Sequence, residues 1–142
     1  MKTVRQLLTS KGRNVLSVTP DTTVYDALTI LAKFHIGALL VIQKEKLLGI
    51  ISERDYAREV VLKGRTSRTT SVAEVMSSKL ITVSPEETVE DCMNLMSGKR
   101  VRHLPVLEGE KVVGILSIGD LVKETIEYQQ FLIEQLESYI QS

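Results

Sequence analysis

Apolar and polar positions follow one another along the chain in blocks, and the same order of blocks occurs twice. A short β-rich piece, Leu16–Val18, is stopped by Thr19-Pro20-Asp21, and the order returns as Ile81–Val83 before Ser84-Pro85-Glu86. Such a polar, proline-containing step ends a strand and prepares a helix start. Apolar residues then recur at helical spacing, at Val24, Ala27, Leu28, Leu31 and Ala32 and again at Val89, Cys92, Met93 and Met96. That spacing predicts one amphipathic helix in each block. The apolar runs Ala38–Ile42 and His103–Leu107 follow, then polar turns at Gln43–Lys46 and Glu108–Lys111, then Leu47–Ile51 and Val112–Leu116. Each trio predicts a β-hairpin, and a second helix opens at Ser52 or Ser117.

Sliding the chain by 65 positions lays Val15–Val61 over Leu80–Ile126 without a gap, and 14 of those 47 positions are identical. Ordinary residue frequencies give about three by chance. The chain therefore reads as two tandem β-α-β-β-α repeats, an α+β fold, with the first repeat over 1–66, the second over 67–126 and a C-terminal helix extension over 127–142. The connection Leu62–Lys79 is polar, and Ser71 within it caps a brief helix, Val72–Met76. Neither copy is long enough to bury a sufficient core alone. The two are expected to pack sheet to sheet as a single module, 1–142, with pseudo-twofold symmetry and two equivalent clefts.

One pattern in each copy carries chemistry: Gly49-Ile50-Ile51-Ser52-Glu53-Arg54-Asp55 and Gly114-Ile115-Leu116-Ser117-Ile118-Gly119-Asp120. A serine with an acid three residues later is a capping box, in which each side chain satisfies an orphan amide at the helix start. The same junction of strand end and helix start also favours a phosphate, through its amides and the positive end of the helix dipole. The serine adds a hydroxyl donor, and a short Asp carboxylate can accept two hydrogen bonds from a ribose diol. Capping boxes more often use Glu or Gln, so aspartate in both copies leans towards a ligand. The two roles are compatible.

Tandem units of this kind, each with Thr-Pro or Ser-Pro before the first helix, Leu-Pro-Val-like strands and a closing Gly-apolar-apolar-Ser-x-x-Asp, resemble the cystathionine-β-synthase (CBS) domain pair. The resemblance covers about residues 1–126. It implies a module that binds adenosine-containing nucleotides, with Asp55 and Asp120 on ribose hydroxyls and Ser52 and Ser117 near the phosphate. It also implies clefts that draw on both copies. One would combine Ser117 and Asp120 with Leu16, Ile36, Gly37 and Ala38; the other would combine Ser52, Arg54 and Asp55 with Ile81, Val101, Arg102 and His103. The family often places a basic pair for phosphate where Arg102 and His103 stand. Neighbouring strand residues point to opposite faces, so one of that pair can instead be solvated. The first copy has Gly37 and Ala38 at those positions and Leu40 in place of Pro105, a departure from the phosphate-binding pattern.

Composition narrows the function class. Eighteen basic residues balance eighteen acidic ones, so the global field favours neither nucleic acid nor an anionic membrane. Aromatics are 4% with no Trp, which excludes an aromatic platform for stacked bases. Cys92 is the single cysteine, so no intrachain disulfide forms, and one thiol with two histidines makes a poor zinc site. No signal-peptide pattern or membrane-length apolar run is present, and a cytoplasmic protein is expected. Ser117, His103 and Asp120 are hydrolase-triad residue types, yet neither serine lies in a G-x-S-x-G elbow and no Walker lysine motif occurs. No catalytic residue, catalytic cofactor or metal is expected.

The last segment runs beyond the repeat. Val122, Ile126, Gln129, Ile133, Leu136 and Ile140 fall at alternating steps of four and three, a heptad-like seam that fits either a helix folded back on its own domain or a partner helix. The expected function is a non-catalytic regulatory module that binds AMP, ADP, ATP or NAD(H), forms a homodimer and signals to a regulated protein. The alternative is a structural dimerisation module without bound nucleotide.

Overall fold

The computed structural model describes residues 2–12 and 15–141. Its elements run in the order α1 Val4–Lys11, β1 Ser17–Val18, α2 Val24–Phe34, β2 Ala38–Gln43, β3 Lys46–Ser52, α3 Glu53–Tyr56, α4 Val72–Val75, α5 Val89–Lys99, β4 His103–Glu108, β5 Lys111–Ser117 and α6 Ile118–Gln141. Helix α3 runs on into a π-helical turn, Ala57–Val61. The fold is α+β, and the two copies are built alike. Thr23 and Thr88 cap α2 and α5 identically, each hydroxyl accepting at 3.1 Å from the amide three residues on, Asp26 or Asp91. Both helices end on a left-handed residue, His35 at φ 54° and Arg100 at φ 55°, a position that usually takes glycine.

The expected β-hairpins form in both copies. In the first, β1 pairs parallel with β2 and β2 pairs antiparallel with β3, with Leu39 opposite Ile51 and Val41 opposite Gly49. In the second, β4 and β5 form a two-stranded sheet, and the strand expected at Ile81–Val83 shrinks to a single parallel bridge between Val83 and Val106. The reason is one residue. Leu40 donates its amide to Leu16 O at 3.4 Å, whereas the aligned Pro105 has no amide to give to Ile81.

Packing divides the chain into two compact units. One is Val15–Ile81 with Glu110–Val112, and the other takes Met1–Asn14, Thr82–Gly109 and Val113–Ser142. These units do not coincide with the boundaries 1–66 and 67–126 read from the sequence. Helix α1 opens the first repeat yet packs with the second: Val4 N donates to Glu87 O (2.8 Å), Arg5 N to Pro85 O (2.9 Å), and Val89 N to Lys2 O (3.0 Å). Helix α4 opens the second repeat yet packs with the first by the equivalent bonds. Val72 N donates to Thr22 O (2.8 Å), Ala73 N to Pro20 O (2.9 Å), and Val24 N to Thr70 O (2.9 Å). Each repeat is thus completed by the helix that opens the other.

The helices earn these positions with apolar side chains. Val72 and Val75 of α4 join Val24, Ala27, Leu31, Leu39, Val41 and Ile51 in the core of the first-repeat unit. Val4, Leu7 and Leu8 of α1 are buried in the other unit, as are Val89, Cys92, Met96, Leu104 and Leu116. Full burial of one such aliphatic side chain contributes roughly 1.5–3 kcal/mol. Among the described residues no helix is long and apolar enough to cross a membrane.

Candidate functional site

The two Ser-x-x-Asp motifs sit where β3 turns into α3 and where β5 turns into α6. At the first junction Ser52 N donates to Asp55 Oδ2 (2.8 Å), Ser52 Oγ donates to the same oxygen (3.1 Å), and Asp55 N donates back to Ser52 Oγ (3.3 Å). At the second, Ser117 N donates to Asp120 Oδ2 (2.8 Å) and Asp120 N to Ser117 Oγ (3.2 Å). Both aspartates therefore complete capping boxes with a side chain one methylene shorter than the usual Glu. The next amide is also engaged, Glu53 N with Gly37 O at 3.3 Å and Ile118 N with Arg102 O at 2.9 Å. Three backbone amides that a phosphate could use are thereby taken at each junction.

These bonds fix which candidate residues lie together inside each unit. Ala38 pairs directly with Ser52 across the hairpin, and Gly37 is tied to Glu53, so both stand beside the first motif. Leu16 and Ile36 pack against the core beneath, and Arg54 is exposed. In the other unit, Arg102 is exposed but its carbonyl anchors the start of α6. His103 is half-buried and held neutral-leaning by burial, which Lys11 and Arg102 reinforce and the charge of Asp120 opposes. Val101 donates to Met96 O at 3.1 Å, and Ile81 is a half-buried residue that closes the Val15–Ile81 segment.

The two carboxylates differ in charge environment. Burial pushes Asp55 above the ordinary aspartate value, against the bonds from Ser52 and the charge of Arg58. Burial acts on Asp120 in the same direction, but a hydrogen bond from Lys11, the Ser117 amide and the charge of Lys11 outweigh it and hold that carboxyl low. Lys11 Nζ lies 2.7 Å from Asp120 Oδ2 and also donates to Ile115 O at 2.5 Å. Lys2, at the other end of α1, pairs with the buried Glu124 at 3.4 Å.

Sequence reasoning missed Lys11. A signal was present: Thr3-Val4-Arg5-Gln6-Leu7-Leu8 matches Ser71-Val72-Ala73-Glu74-Val75-Met76 with capping boxes at Thr3/Gln6 and Ser71/Glu74. That match needs an offset of 68 rather than 65, so a gapless comparison passes over it. Cys92 is a core side chain on α5 whose thiol is pushed up to about 11 by burial, Glu87 and Asp91. Among the described residues no group of three or more His, Cys, Asp or Glu side chains could hold a metal ion.

The CBS domain family model matches residues 4–62 and 72–127. The chain belongs to the CBS domain family. Both CBS matches start on the helix that crosses to the other repeat, Val4 of α1 and Val72 of α4. The chain is 38% identical over 148 residues to the mitochondrial CBS domain-containing protein CBSX3 of Arabidopsis thaliana, covering 98% of this chain and 72% of that protein. Among solved structures it is similar to a putative signal-transduction protein with CBS domains from Burkholderia ambifaria, at 47% identity and a TM-score of 0.86 over 89% of this chain and 95% of that one. A CBS domain pair solved with 5-methylthioadenosine and S-adenosyl-L-methionine shares the fold at 24% identity, with a TM-score of 0.79 over 90% of this chain and 98% of that chain. CBS domain pair proteins are generally regulatory modules.

Proposed function

We propose that this CBS pair is a regulatory module that binds an adenosine-containing ligand, AMP, ADP, ATP or NAD(H), and performs no catalytic step on it. The observation that carries this reading is the twofold presence of a half-buried aspartate at a strand-to-helix junction whose cap bonds all go to Oδ2. Oδ1 is left for a ribose hydroxyl, which a carboxylate accepts strongly. The adenosine-type ligands in a structural neighbour of the same fold support the ligand class. The proposed ligand contacts are Ser52, Arg54 and Asp55 at the first motif and Ser117 and Asp120 at the second, as the family resemblance implies. The module acts as a homodimer on a regulated protein, in the cytoplasm, with neither nucleic acid nor membrane as partner.

A ligand that binds only the folded state raises its stability by mass action. A thermal-shift panel of adenosine, AMP, ADP, ATP, NAD and NADH, followed by calorimetry, tests the reading. At least one member is expected to raise the melting temperature and bind with measurable heat. A flat panel at millimolar ligand overturns it. That flat result supports the second reading, a structural dimerisation module, which the complete capping boxes at both motifs favour.

A further inference from the structure

We infer that Lys11 determines ligand preference at the Asp120 motif, holding its carboxylate as an internal counter-ion that phosphorylated nucleotides displace more readily than uncharged adenosine. The inference rests on the reading that the motif aspartates take the ribose. Oδ2 of Asp120 accepts from Ser117 N at 2.8 Å and from Lys11 Nζ at 2.7 Å, and a carboxylate oxygen offers about two acceptor positions. A vicinal diol that bonds to both oxygens of the carboxylate must take the position that Lys11 fills. Lys11 is not a loosely placed side chain, because its ammonium is also anchored on Ile115 O at 2.5 Å, one strand residue away from the motif leucine.

Among the described residues the first motif has no such competitor. There the second position on Asp55 Oδ2 is filled by the hydroxyl of its own Ser52, at 3.1 Å, which can rotate away. The two sites are therefore unequal although their sequences match. At Asp120, releasing Lys11 leaves an ammonium anchored on Ile115 O, near His103 and Arg102, without its counter-ion. A ligand phosphate supplies the negative charge that this cluster then needs, and a nucleoside does not.

Calorimetry in an Asp55→Ala background isolates the Asp120 site. AMP is expected to bind about tenfold or more tightly than adenosine there. Lys11→Met is expected to erase the preference from both ends, tightening adenosine and weakening AMP, and Lys11→Arg to restore it. Lys11→Gln gives the same result as Lys11→Met and guards against a fold defect peculiar to one variant, with circular dichroism melts confirming that each is folded. An AMP-to-adenosine ratio unchanged by Lys11→Met and Lys11→Gln overturns the inference. So does an Asp55→Ala protein that binds neither ligand while the unsubstituted protein binds, which leaves the nucleotide reading standing on the first motif. An unsubstituted protein that binds neither overturns both.

Discussion

Met76 lies across Gly49 so closely that a Cβ there would meet its sulfur at 2.7 Å and the carbonyl oxygen of Ser77 at 2.8 Å. This explains the glycine of the Gly-apolar-apolar-Ser-x-x-Asp motif without any ligand: it is the point where the end of α4 crosses the hairpin. Gly114 is covered in the same way by Leu8 of α1, whose Cδ2 would be 2.7 Å from a Cβ. The two crossings differ in what can yield. Ser77 is held by a mutual pair of backbone hydrogen bonds with Ile50, at 2.9 and 3.0 Å, whereas Leu8 meets Gly114 with its flexible end.

Gly49→Ala is therefore expected to lower stability by about 1–3 kcal/mol, the usual range for overpacking a tight contact. Gly114→Ala is expected to lower it by less. Urea denaturation of the two variants checks the order, and equal losses would show that Leu8 is as fixed as the Ser77 backbone.

The opposite charge environments of the two motif aspartates give opposite pH dependences. Asp55 has its folded pKa raised above 3.8, so its contribution to stability is complete below 3.8 and is lost as pH rises through the raised value. Asp120 is lowered from 3.8, so its contribution is present above 3.8 and is lost as pH falls through the lowered value. Relative to the unsubstituted protein, Asp55→Asn is expected to gain stability as pH rises from acid to neutral. Asp120→Asn is expected to fall behind over the interval that ends near 3.8. Denaturation midpoints measured from acid to neutral pH decide this, and parallel curves for the two variants contradict it.

The assembly prediction rests on α6. Ile133 and Leu136 are 48% and 62% exposed, within a run of exposed apolar residues from Ile126 to Ile140. Soluble monomers rarely carry such a patch, and a symmetric dimer hides it on both copies at once. Sedimentation is expected to find a dimer at micromolar concentration, and the Ile133→Asp, Leu136→Asp double variant is expected to shift markedly to monomer. An unsubstituted monomer, or a variant that dimerises undiminished, refutes the role given to this helix.

His35 and Arg100 end α2 and α5 at φ 54° and 55°. A side chain in that region costs roughly 1 kcal/mol relative to glycine, partly offset by the greater freedom of an unfolded glycine. His35→Gly and Arg100→Gly are each expected to raise stability by about 0.5 kcal/mol, read as a small upward shift in thermal midpoint. A loss in either would mean that the side chain makes a contact worth more than its strain.

Most of the repeat was legible in the sequence because its signals are local. The Thr-capped helices, the hairpins and the helix starts at Ser52 and Ser117 each follow from residues within a few positions of one another. What was not legible depends on distant partners or on backbone detail. The bridge at Val83 required knowing that Pro105 would face it, and the π-helical turn Ala57–Val61 has no pattern that separates it from an ordinary helix. The two motifs were legible as helix starts and not as charge states. Lys11 and Asp120 are brought together only because α1 docks on the second repeat, a pairing that no spacing within either copy encodes.

The exchange of α1 and α4 also sets an order of events during synthesis. Everything that α4 packs against is already made when it emerges, since Thr22, Pro20 and Ile50 precede it in the chain. Helix α1 is made before the second repeat, and its dock at Pro85, Glu87 and Glu124 emerges only later. Isolated helices as short as α1, eight residues, are barely stable in water. The nascent chain therefore carries α1 undocked, with Val4, Leu7 and Leu8 uncovered, until the second repeat has emerged. A chaperone that reads short apolar segments would meet the nascent chain at α1, and a product stalled before the second repeat would leave that same segment exposed.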